Sequence, residues 1–328
     1  MAVGLANFLN KLGYTPSILP FQAHDTDVCT TWDSKVVSRS KADFTRWSKK
    51  CSHIIWIGGI NKQKVAAANT AGVRNVLVTR VQDIAEYRPD ILDLFDLVVC
   101  PTIYMANVLS EIYPDFNIMP VPWDPGIPIV NKLPAATDTT WVYVPIQSSA
   151  AAKYGTRVLY SLSLLLDQHE RTNVTIVRNK RWSRASLNEL YALKKKNPLR
   201  VDIQVKPTMQ ERLTAYGSHH WTFYPYYMDD HLCTSMESLY SGTPVITLRS
   251  PFACESVKSN HNGFVIRTTP SYHEGFKVAM DPTPTELSDI LLSVIPNKKI
   301  LRTLQEKPWP ELEARRRAFQ AAWPVILS

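Results

Sequence analysis

The residues best suited to chemistry are two carboxylates, Asp229 and Glu237, with seven residues between them. This spacing is about two helical turns, so a helix and its entry loop can turn both carboxylates toward one cleft. The tetrapeptide Ser241-Gly242-Thr243-Pro244 follows; its glycine suits the residue after a helix C-cap and its proline prevents the helix from continuing. The apolar run Val245–Leu248 then predicts a buried strand. A unit of loop, helix, glycine and strand with acids at the helix start is a place where α/β proteins bind ligand hydroxyl groups.

The rest of the chain alternates short apolar runs with helix-like segments. In the first half, a helix is predicted over 2–12 and strands at His53–Ile57, Asn75–Thr79, Leu97–Cys100 and Asn117–Val121. In the second half, strands are predicted at Thr140–Val144, Asn173–Val177, Val201–Val205, Trp221–Tyr224 and Gly263–Ile266, with helices over 157–170, 186–195 and 208–217 between them. Such alternation predicts parallel βαβ units, and hence an α/β fold with two Rossmann-like domains.

A break in the pattern separates the two halves. Between Val121 and Thr140 the chain is rich in proline and has no periodic segment. This composition is typical of a linker between domains. Two βα domains joined there predict an active site in the cleft between them.

Composition and charge favour an anionic partner. The chain has 328 residues, a formal net charge of +8 and a pI of about 9.1. Nucleic acid, an anionic membrane surface and phosphorylated small molecules all suit that charge. The five cysteines are scattered, which argues against a disulfide framework or structural zinc and favours the cytoplasm. Neither a secretory leader nor an apolar run of roughly 20 residues is present, so no stable membrane anchor is expected.

Several other chemistries lack their motifs in this sequence. There is no GxGxxG, Walker A, GxSxG or HExxH motif. A D-x-D at Asp25-Thr26-Asp27 has the form by which one glycosyltransferase fold binds manganese. It precedes any segment from which a nucleotide site could be built, so we interpret it as a loop.

The chain resembles the retaining nucleotide-sugar glycosyltransferases of family 4. Asp229-x7-Glu237 and its Ser-Gly-Thr-Pro turn are similar to the family's E-x7-E motif and small-residue turn. The preceding segment VKPTMQERLTAYGSHHWTFYPYY and the strand Trp141–Val144 followed by Lys153 also match in order. DLVVCPTIYMANVLSEIYP, followed by VPVPWDPGIPI, resembles the end of the family's first domain, so the likeness covers about residues 75–300.

This resemblance implies a GT-B fold, in which two Rossmann-like domains flank a cleft. Residues 1–130 would form the N-terminal acceptor domain and residues 131–307 the C-terminal donor-binding domain. Residues 308–328 would form a C-terminal helix that crosses back onto the first domain.

The resemblance also implies roles for individual residues. Glu237 would accept hydrogen bonds from the ribose hydroxyls of the nucleotide, a charge-assisted pairing. Asp229, in place of the usual glutamate, would face the transferred sugar. The backbone N–H groups of the next residues, Asp230 and His231, would meet the donor phosphates at the helix start. Lys153 would neutralise the diphosphate as it leaves.

Three departures from the family pattern affect the catalytic residues. Gln147 stands where the family usually has an arginine, and either Arg157 or Arg178 would have to replace that charge. The family's N-terminal histidine is absent after the Asn75–Thr79 strand, where Arg80 is the nearest polar residue. The usual first strand and its glycine-rich turn are also missing from the pattern, through loss, truncation or a different reading of that segment.

The reaction implied is transfer of a hexosyl or pentosyl group from a nucleotide sugar, most simply a UDP-sugar, with retention and without a metal. The basic cluster from Arg178 to Arg184, with Trp182 inside it, favours a polyanionic acceptor. Our leading hypothesis is a hydroxymethylated DNA base, as in viral (bacteriophage) DNA-modifying enzymes that act in the host cytoplasm. Trp32, Trp56 and Trp123 are candidates for the pocket of a flipped base. The alternatives are a polysaccharide or lipid-linked glycan acceptor, and a degenerate nucleotide-sugar-binding module without activity.

Overall fold

The computed structural model describes fifteen ranges of the chain. These are residues 2–18, 35–36, 41–57, 60–79, 88–130, 138–146, 151–178, 182–205, 207–224, 233–250, 253–267, 269–274, 277–281, 283–306 and 309–328. The chain divides into two compact units, Met1–Ile127 with Glu313–Ser328, and Pro128–Leu312.

The first unit is built on a parallel sheet. Its elements are α1 (Ala2–Lys11), β1 (Ser17–Ile18), β2 (Lys35–Val36), α2 (Lys41–Ser48), β3 (His53–Ile57), α3 (Lys62–Thr70), β4 (Arg74–Val78), α4 (Pro89–Leu92), β5 (Leu97–Cys100), α5 (Ile103–Ile112) and β6 (Ile118–Pro120). The four strands of the sheet lie in the order β3-β4-β5-β6, and β1 pairs with β2 separately. Among the strands that are described, the order in this sheet follows the order in the chain, so the strand order is not reversed at any point.

Local sequence explains why these elements form. The strand β5 is apolar and buried along its whole length, as expected for a parallel strand covered on both faces. Asn61 and Thr102 cap α3 and α5, since their side chains accept hydrogen bonds from the backbone N–H groups of Lys64 and Met105. The C-terminal residues add Phe319, whose ring meets the buried Trp123 edge-on with centroids 5.4 Å apart.

The second unit contains a larger parallel sheet. Its elements are β7 (Thr140–Ile146), α6 (Ala151–Gln168), β8 (Thr172–Arg178), α7 (Arg184–Lys196), β9 (Val201–Val205), α8 (Met209–Ser218), β10 (Trp221–Tyr224), α9 (Cys233–Tyr240), β11 (Val245–Leu248), α10 (Ala253–Ser256), β12 (Gly263–Ile266), β13 (Thr269–Glu274), β14 (Lys277–Asp281), α11 (Pro284–Val294) and α12 (Lys298–Glu306). The last helix of the chain is α13 (Pro310–Ile326). Six strands lie in the order β12-β11-β10-β7-β8-β9, and β13 and β14 form a separate antiparallel pair.

The two faces of this sheet are covered by different helices. Side chains of β7 that alternate along the strand, Val142, Val144 and Ile146, pack into the main core with residues of α6, α7 and α11. Tyr143 faces the other way and packs against Tyr216 of α8, with ring centroids 5.0 Å apart. The helices α8 and α9 contact each other beside it. The helices α8 and α9, which precede and follow β10 in the chain, therefore lie on the face of the sheet opposite to the main core.

The predicted fold class is confirmed: the chain is α/β with two parallel sheets and helices between their strands. Some boundaries and elements differ from the sequence predictions. The helix predicted to begin at Arg157 begins at Ala151. Its first turn contains two alanines, which favour a helix without adding to the apolar pattern on which the prediction was based. The short helices α2 and α12 and the β13–β14 pair were not predicted. In α12 the buried positions are Leu301 and Leu304.

Candidate functional site

The carboxyl ends of three neighbouring strands in the second unit meet at one edge of its sheet. The strand β7 lies between β10 and β8, and its last residue, Ile146, pairs with Arg178, the last residue of β8. Strand order reverses between β7 and β10, since the chain moves outward through β8 and β9 and then returns. In parallel α/β sheets, ligands bind outside the carboxyl ends of the strands at such a reversal. The first unit shows no reversal among its described strands, so the second unit has the stronger candidate site.

Two of the expected site residues lie in the connections that leave this edge. Gln147 directly follows Ile146, and Lys153 is in the first turn of α6, the helix that follows β7. Lys153 therefore lies inside this helix, whereas the sequence prediction placed it before the helix. The positive end of the α6 dipole is directed toward the carboxyl edge, which favours negative charge there.

Arg178 brings a cation to the same edge. It is half-buried at the end of β8, and its Nη2 donates a hydrogen bond to the Tyr191 hydroxyl of α7 at 3.3 Å. Arg178 pairs with Ile146 of the neighbouring strand β7, and Gln147 is the next residue of the chain after Ile146. Of the two arginines named as replacements, Arg178 ends a strand at this edge, while Arg157 lies further along α6.

Glu237 is fixed by a short, well-terminated helix. It occupies α9, where it is only 7% exposed. The helix ends in a Schellman motif: Gly242 has a φ of +77°, the Gly242 N–H bonds to Leu239 O, and the Thr243 N–H bonds to Ser238 O. A positive φ at this position favours glycine, so the predicted role of Gly242 is confirmed.

The carboxylate of Glu237 is paired with Arg212 of α8. Arg212 Nε and Nη2 donate to Glu237 Oε2 and Oε1 at 3.5 and 3.4 Å. The side chains of Arg212 and Glu237 are 23% and 9% exposed. Burial by itself would lower the pKa of Arg212, but the neighbouring Glu237 carboxylate, with smaller effects of the two tyrosines Tyr216 and Tyr143, raises it. Arg212 therefore remains a cation and neutralises a nearly buried carboxylate.

Local sequence holds α8, and with it Arg212, in place. Thr208 and Glu211 form a capping box at the start of α8: the Glu211 N–H bonds to Thr208 Oγ1 at 3.2 Å, and the Thr208 N–H bonds to Glu211 Oε2 at 2.6 Å. Arg212 is the residue that follows this capping box. The position of its Cα is therefore set by the helix start.

A buried phenol adjoins the Arg212–Glu237 pair. Tyr143 of β7 is fully buried, and its hydroxyl has no hydrogen-bond partner among the residues that the structure describes. Burial raises the pKa of Tyr143, and the charges of Arg212 and Glu237 are close enough to act on that pKa in opposite directions. A buried hydroxyl without a hydrogen-bond partner is uncommon in folded proteins.

Some predicted site residues lie outside the described ranges. Asp229, Asp230 and His231 fall between β10 and α9, and Gln147 and Arg80 follow β7 and Thr79. The side chain of Lys153, the residue Trp32 and the Asp25-Thr26-Asp27 motif are also outside the described part. Roles for these residues remain predictions.

The structure corrects the aromatic candidates for a nucleic-acid surface. Trp123 is 1% exposed and belongs to the core of the first unit, so it cannot stack on a base without unfolding. Trp182 is buried as well, and its indole N–H bonds to Ile146 O at 3.2 Å. Trp56 is half-buried and donates to Asn75 Oδ1 at 2.7 Å. Aromatic type and a basic neighbourhood do not reveal burial, which depends on the sheet against which the residue packs.

His219 and His220 make buried contacts within the second unit. His219 Nε2 lies 2.8 Å from Thr175 Oγ1, and His220 Nδ1 accepts a hydrogen bond from the Trp141 N–H at 2.9 Å. Both rings are buried. Sequence reasoning overlooked Arg212 and Tyr143, because their relation to Glu237 depends on long-range contacts between α8, β7 and α9.

Two features are absent from the part of the chain that the structure describes. Within these ranges no three His, Cys, Asp or Glu side chains lie close enough together to hold a metal ion. No described helix is both long and apolar enough to cross a bilayer.

Comparison with known proteins gives matches in structure and none in sequence. No protein-family model and no curated protein matches the chain. A glycosyltransferase from Rickettsia africae has a TM-score of 0.70 at 14% identity and covers 99% of this chain and 93% of its own. The pneumococcal O-GlcNAc transferase GtfA, solved with UDP and GlcNAc, has a TM-score of 0.65 at 12% identity; the match covers 86% of this chain and 58% of GtfA.

A third match belongs to a different class of enzyme. A Listeria monocytogenes protein described as a UDP-N-acetylglucosamine 2-epimerase has a TM-score of 0.63 at 11% identity and covers 99% of this chain and 92% of its own. At these identities the likeness establishes the fold alone. The chain has the GT-B fold, with two Rossmann-like α/β domains.

Proposed function

We propose that this protein is a glycosyltransferase that binds a nucleotide sugar, in the first instance a UDP-sugar, in its second unit. The observation that carries the proposal is Glu237. It is a nearly buried carboxylate on the helix that follows the order reversal of a GT-B sheet, at the second acidic position of Asp229-x7-Glu237. The similarity to GtfA, which was solved with UDP and GlcNAc, supports the same donor class.

The residues present suit a nucleoside diphosphate. Glu237 provides a carboxylate for the vicinal ribose hydroxyls. Arg178 at the end of β8 and Lys153 in the first turn of α6 provide positive charge for the two phosphates, together with the α6 N-terminus. Asp230 and His231 would add backbone N–H groups, and Gln147 would add an uncharged donor.

The proposed chemistry breaks the bond between the sugar C1 and the phosphate oxygen and forms a bond from C1 to an acceptor oxygen. The departing diphosphate keeps the electron pair of the broken bond and takes the proton that the acceptor hydroxyl loses, while Lys153 stabilises its charge. Asp229 faces the transferred sugar, whose developing positive charge it stabilises. We propose retention of configuration and no required metal, as the resemblance implies.

The donor proposal is tested by binding. We expect UDP, but not uridine, to raise the melting temperature, because diphosphate contacts contribute to affinity; saturation at one hundred times Kd stabilises the fold by about 2.7 kcal/mol. Glu237→Gln should fold and lose most of this shift. Glu189→Gln on the exposed surface of α7 is the matched control and should behave like the wild type. A full shift in Glu237→Gln would disprove the assignment of this residue.

For the acceptor we propose a hydroxymethylated DNA base, on the strength of the net charge of +8. The expected result is transfer of labelled sugar to hydroxymethylated duplex DNA, with DNA affinity that falls steeply as salt rises. Transfer to a polysaccharide or lipid-linked glycan, with no salt-dependent DNA binding, would favour that alternative acceptor. Donor binding with neither transfer nor hydrolysis would favour a binding module.

A second candidate function is epimerisation of a UDP-N-acetylhexosamine. The observation in its favour is the match to the Listeria protein, which extends over nearly the full length of both chains. Incubation with UDP-GlcNAc alone separates the two functions. An epimerase changes the configuration at C2 of the sugar without an acceptor, whereas a transferase without an added acceptor transfers the sugar to water and releases UDP.

A further inference from the structure

We propose that Arg212 is a positioning residue for Glu237, and that this pair makes the donor site selective for a ribose over a 2′-deoxyribose. The inference rests on the proposed function and deepens it, because it concerns the same donor site. It starts from the contact between α8 and α9, which joins two residues that are 25 positions apart in sequence.

The first argument is burial. Glu237 is nearly buried, and a carboxylate in such a place is costly unless a cation or several hydrogen bonds compensate it. Arg212 is the cation that the structure places within 4 Å of it. The guanidinium contacts both carboxylate oxygens through Nε and Nη2, so it fixes the plane of the carboxylate as well as neutralising it.

The second argument is the geometry of the pair. The two contacts measure 3.4 and 3.5 Å, whereas charge-assisted N–H···O bonds usually measure about 2.7–2.9 Å. A carboxylate has about four acceptor positions. Contacts this long leave the oxygens of Glu237 with acceptor capacity, and a vicinal diol carries two O–H donors at matching spacing.

The third argument is the surroundings of the pair. The hydroxyl of Tyr143 is buried without a partner among the described residues, on the neighbouring strand β7. Two residues of α8 also act on these groups: the charge of Tyr216 raises the pKa of Arg212, and the charge of Glu211 raises the pKa of Tyr143. The polar groups around Glu237 are therefore contributed by two helices and a strand.

The test compares UDP with 2′-deoxy-UDP by calorimetry. We expect the wild type to bind UDP about tenfold or more tightly than 2′-deoxy-UDP. A ratio of this size corresponds to the free energy of one hydrogen bond to a charged group. Arg212→Met should weaken UDP binding while changing 2′-deoxy-UDP binding less, so the ratio falls toward one. Arg212→Lys should restore part of the ratio, since it retains the charge and lacks the planar fork.

Controls separate this inference from simpler explanations. Arg171→Met removes an exposed arginine at the other end of β8 and should leave both affinities unchanged. Arg212→Met combined with Glu237→Gln removes both charges; if Arg212 acts through Glu237, it should bind no more weakly than Glu237→Gln alone.

Three negative results have two different meanings. A wild-type protein that binds no nucleotide would overturn the proposed function. A wild type that binds UDP, with Arg212→Met and Arg212→Lys keeping its full ribose selectivity, would overturn this inference alone. An equal loss of affinity for both nucleotides in Arg212→Met and Arg212→Lys would also reject it, because a purely structural role predicts that outcome.

Discussion

At the scale of the residue, the candidate site is an arrangement of buried polar groups around one carboxylate. Glu237 lies on a helix whose other central residues, Ser235, Met236 and Ser238, are also buried. Its charge is compatible with that environment because Arg212 lies beside it. The pair therefore serves the stability of the unit as well as the proposed binding of a nucleotide.

Tyr143 allows the stability of this region to be tested without a change in the Arg212–Glu237 pair. Its buried hydroxyl has no partner among the described residues, so Tyr143→Phe removes an unsatisfied polar group and keeps the ring packing against Tyr216. We expect the free energy of unfolding to rise by about 1 kcal/mol, measured by urea denaturation. A loss of stability in Tyr143→Phe would show that the hydroxyl is satisfied in solution.

At the scale of the element, the site depends on how short helices and strands are packed together. The capping box of α8, the Schellman motif of α9 and the parallel pairing of β10, β11 and β12 hold the segments around Glu237. Gly263 occupies the tightest of these places. Gly263 pairs with Val245 of β11, and a Cβ at position 263 would lie 2.0 Å from the carbonyl oxygen of Val245.

Gly263→Ala is therefore expected to destabilise the second unit by about 3 kcal/mol or more, because backbone cannot move away as a flexible side chain can. The matched control is Gly217→Ala in α8, where a Cβ meets no atom within 4 Å. That change should stabilise the protein by about 0.5–1 kcal/mol, since alanine is the better helix former. Thermal and urea unfolding of both variants measure the difference. Equal stability of the two variants would contradict the close approach of β11 and β12.

At the scale of the whole molecule, the two units differ in how the chain builds them. The first combines Met1–Ile127 with Glu313–Ser328, whereas the second is one continuous segment, Pro128–Leu312. The main core of the second unit draws all its members from that segment. Its final residues matter too: Glu311 accepts a hydrogen bond from Asn262 at 2.9 Å, and Leu312 O accepts one from the Tyr240 hydroxyl at 3.1 Å.

We expect residues 128–312, expressed alone, to unfold in one cooperative transition and to bind UDP. The reason is that the sheet, its core and the Arg212–Glu237 pair are all contained in this segment. A segment that ends at Glu306 is the control and should be less stable, because it lacks the partners of Asn262 and Tyr240. Circular dichroism during heating and calorimetry with UDP are the measurements. A non-cooperative 128–312 segment would show that the second unit needs the first.

The sequence by itself determined the α/β class, the position of most strands and the turn at Gly242. These properties follow from apolar period, helix caps and the special φ of glycine, all of which act over a few residues. The strands at His53–Ile57, Val201–Val205 and Trp221–Tyr224 were predicted at the bounds that the structure has. The two-domain GT-B fold, which the resemblance to family 4 implies, is confirmed as well.

Only the tertiary structure decided which side chains are buried and which charges meet. Trp123 and Trp182 were candidates for a nucleic-acid surface and belong to cores, because burial is set by the elements packed around a residue. Arg212 showed no signal in the sequence, since a helix-surface arginine and the partner of a buried carboxylate look alike there. The contact between α8 and α9 distinguishes them, and it exists because the return of the chain from β9 to β10 brings α8 against α9 on one face of the sheet.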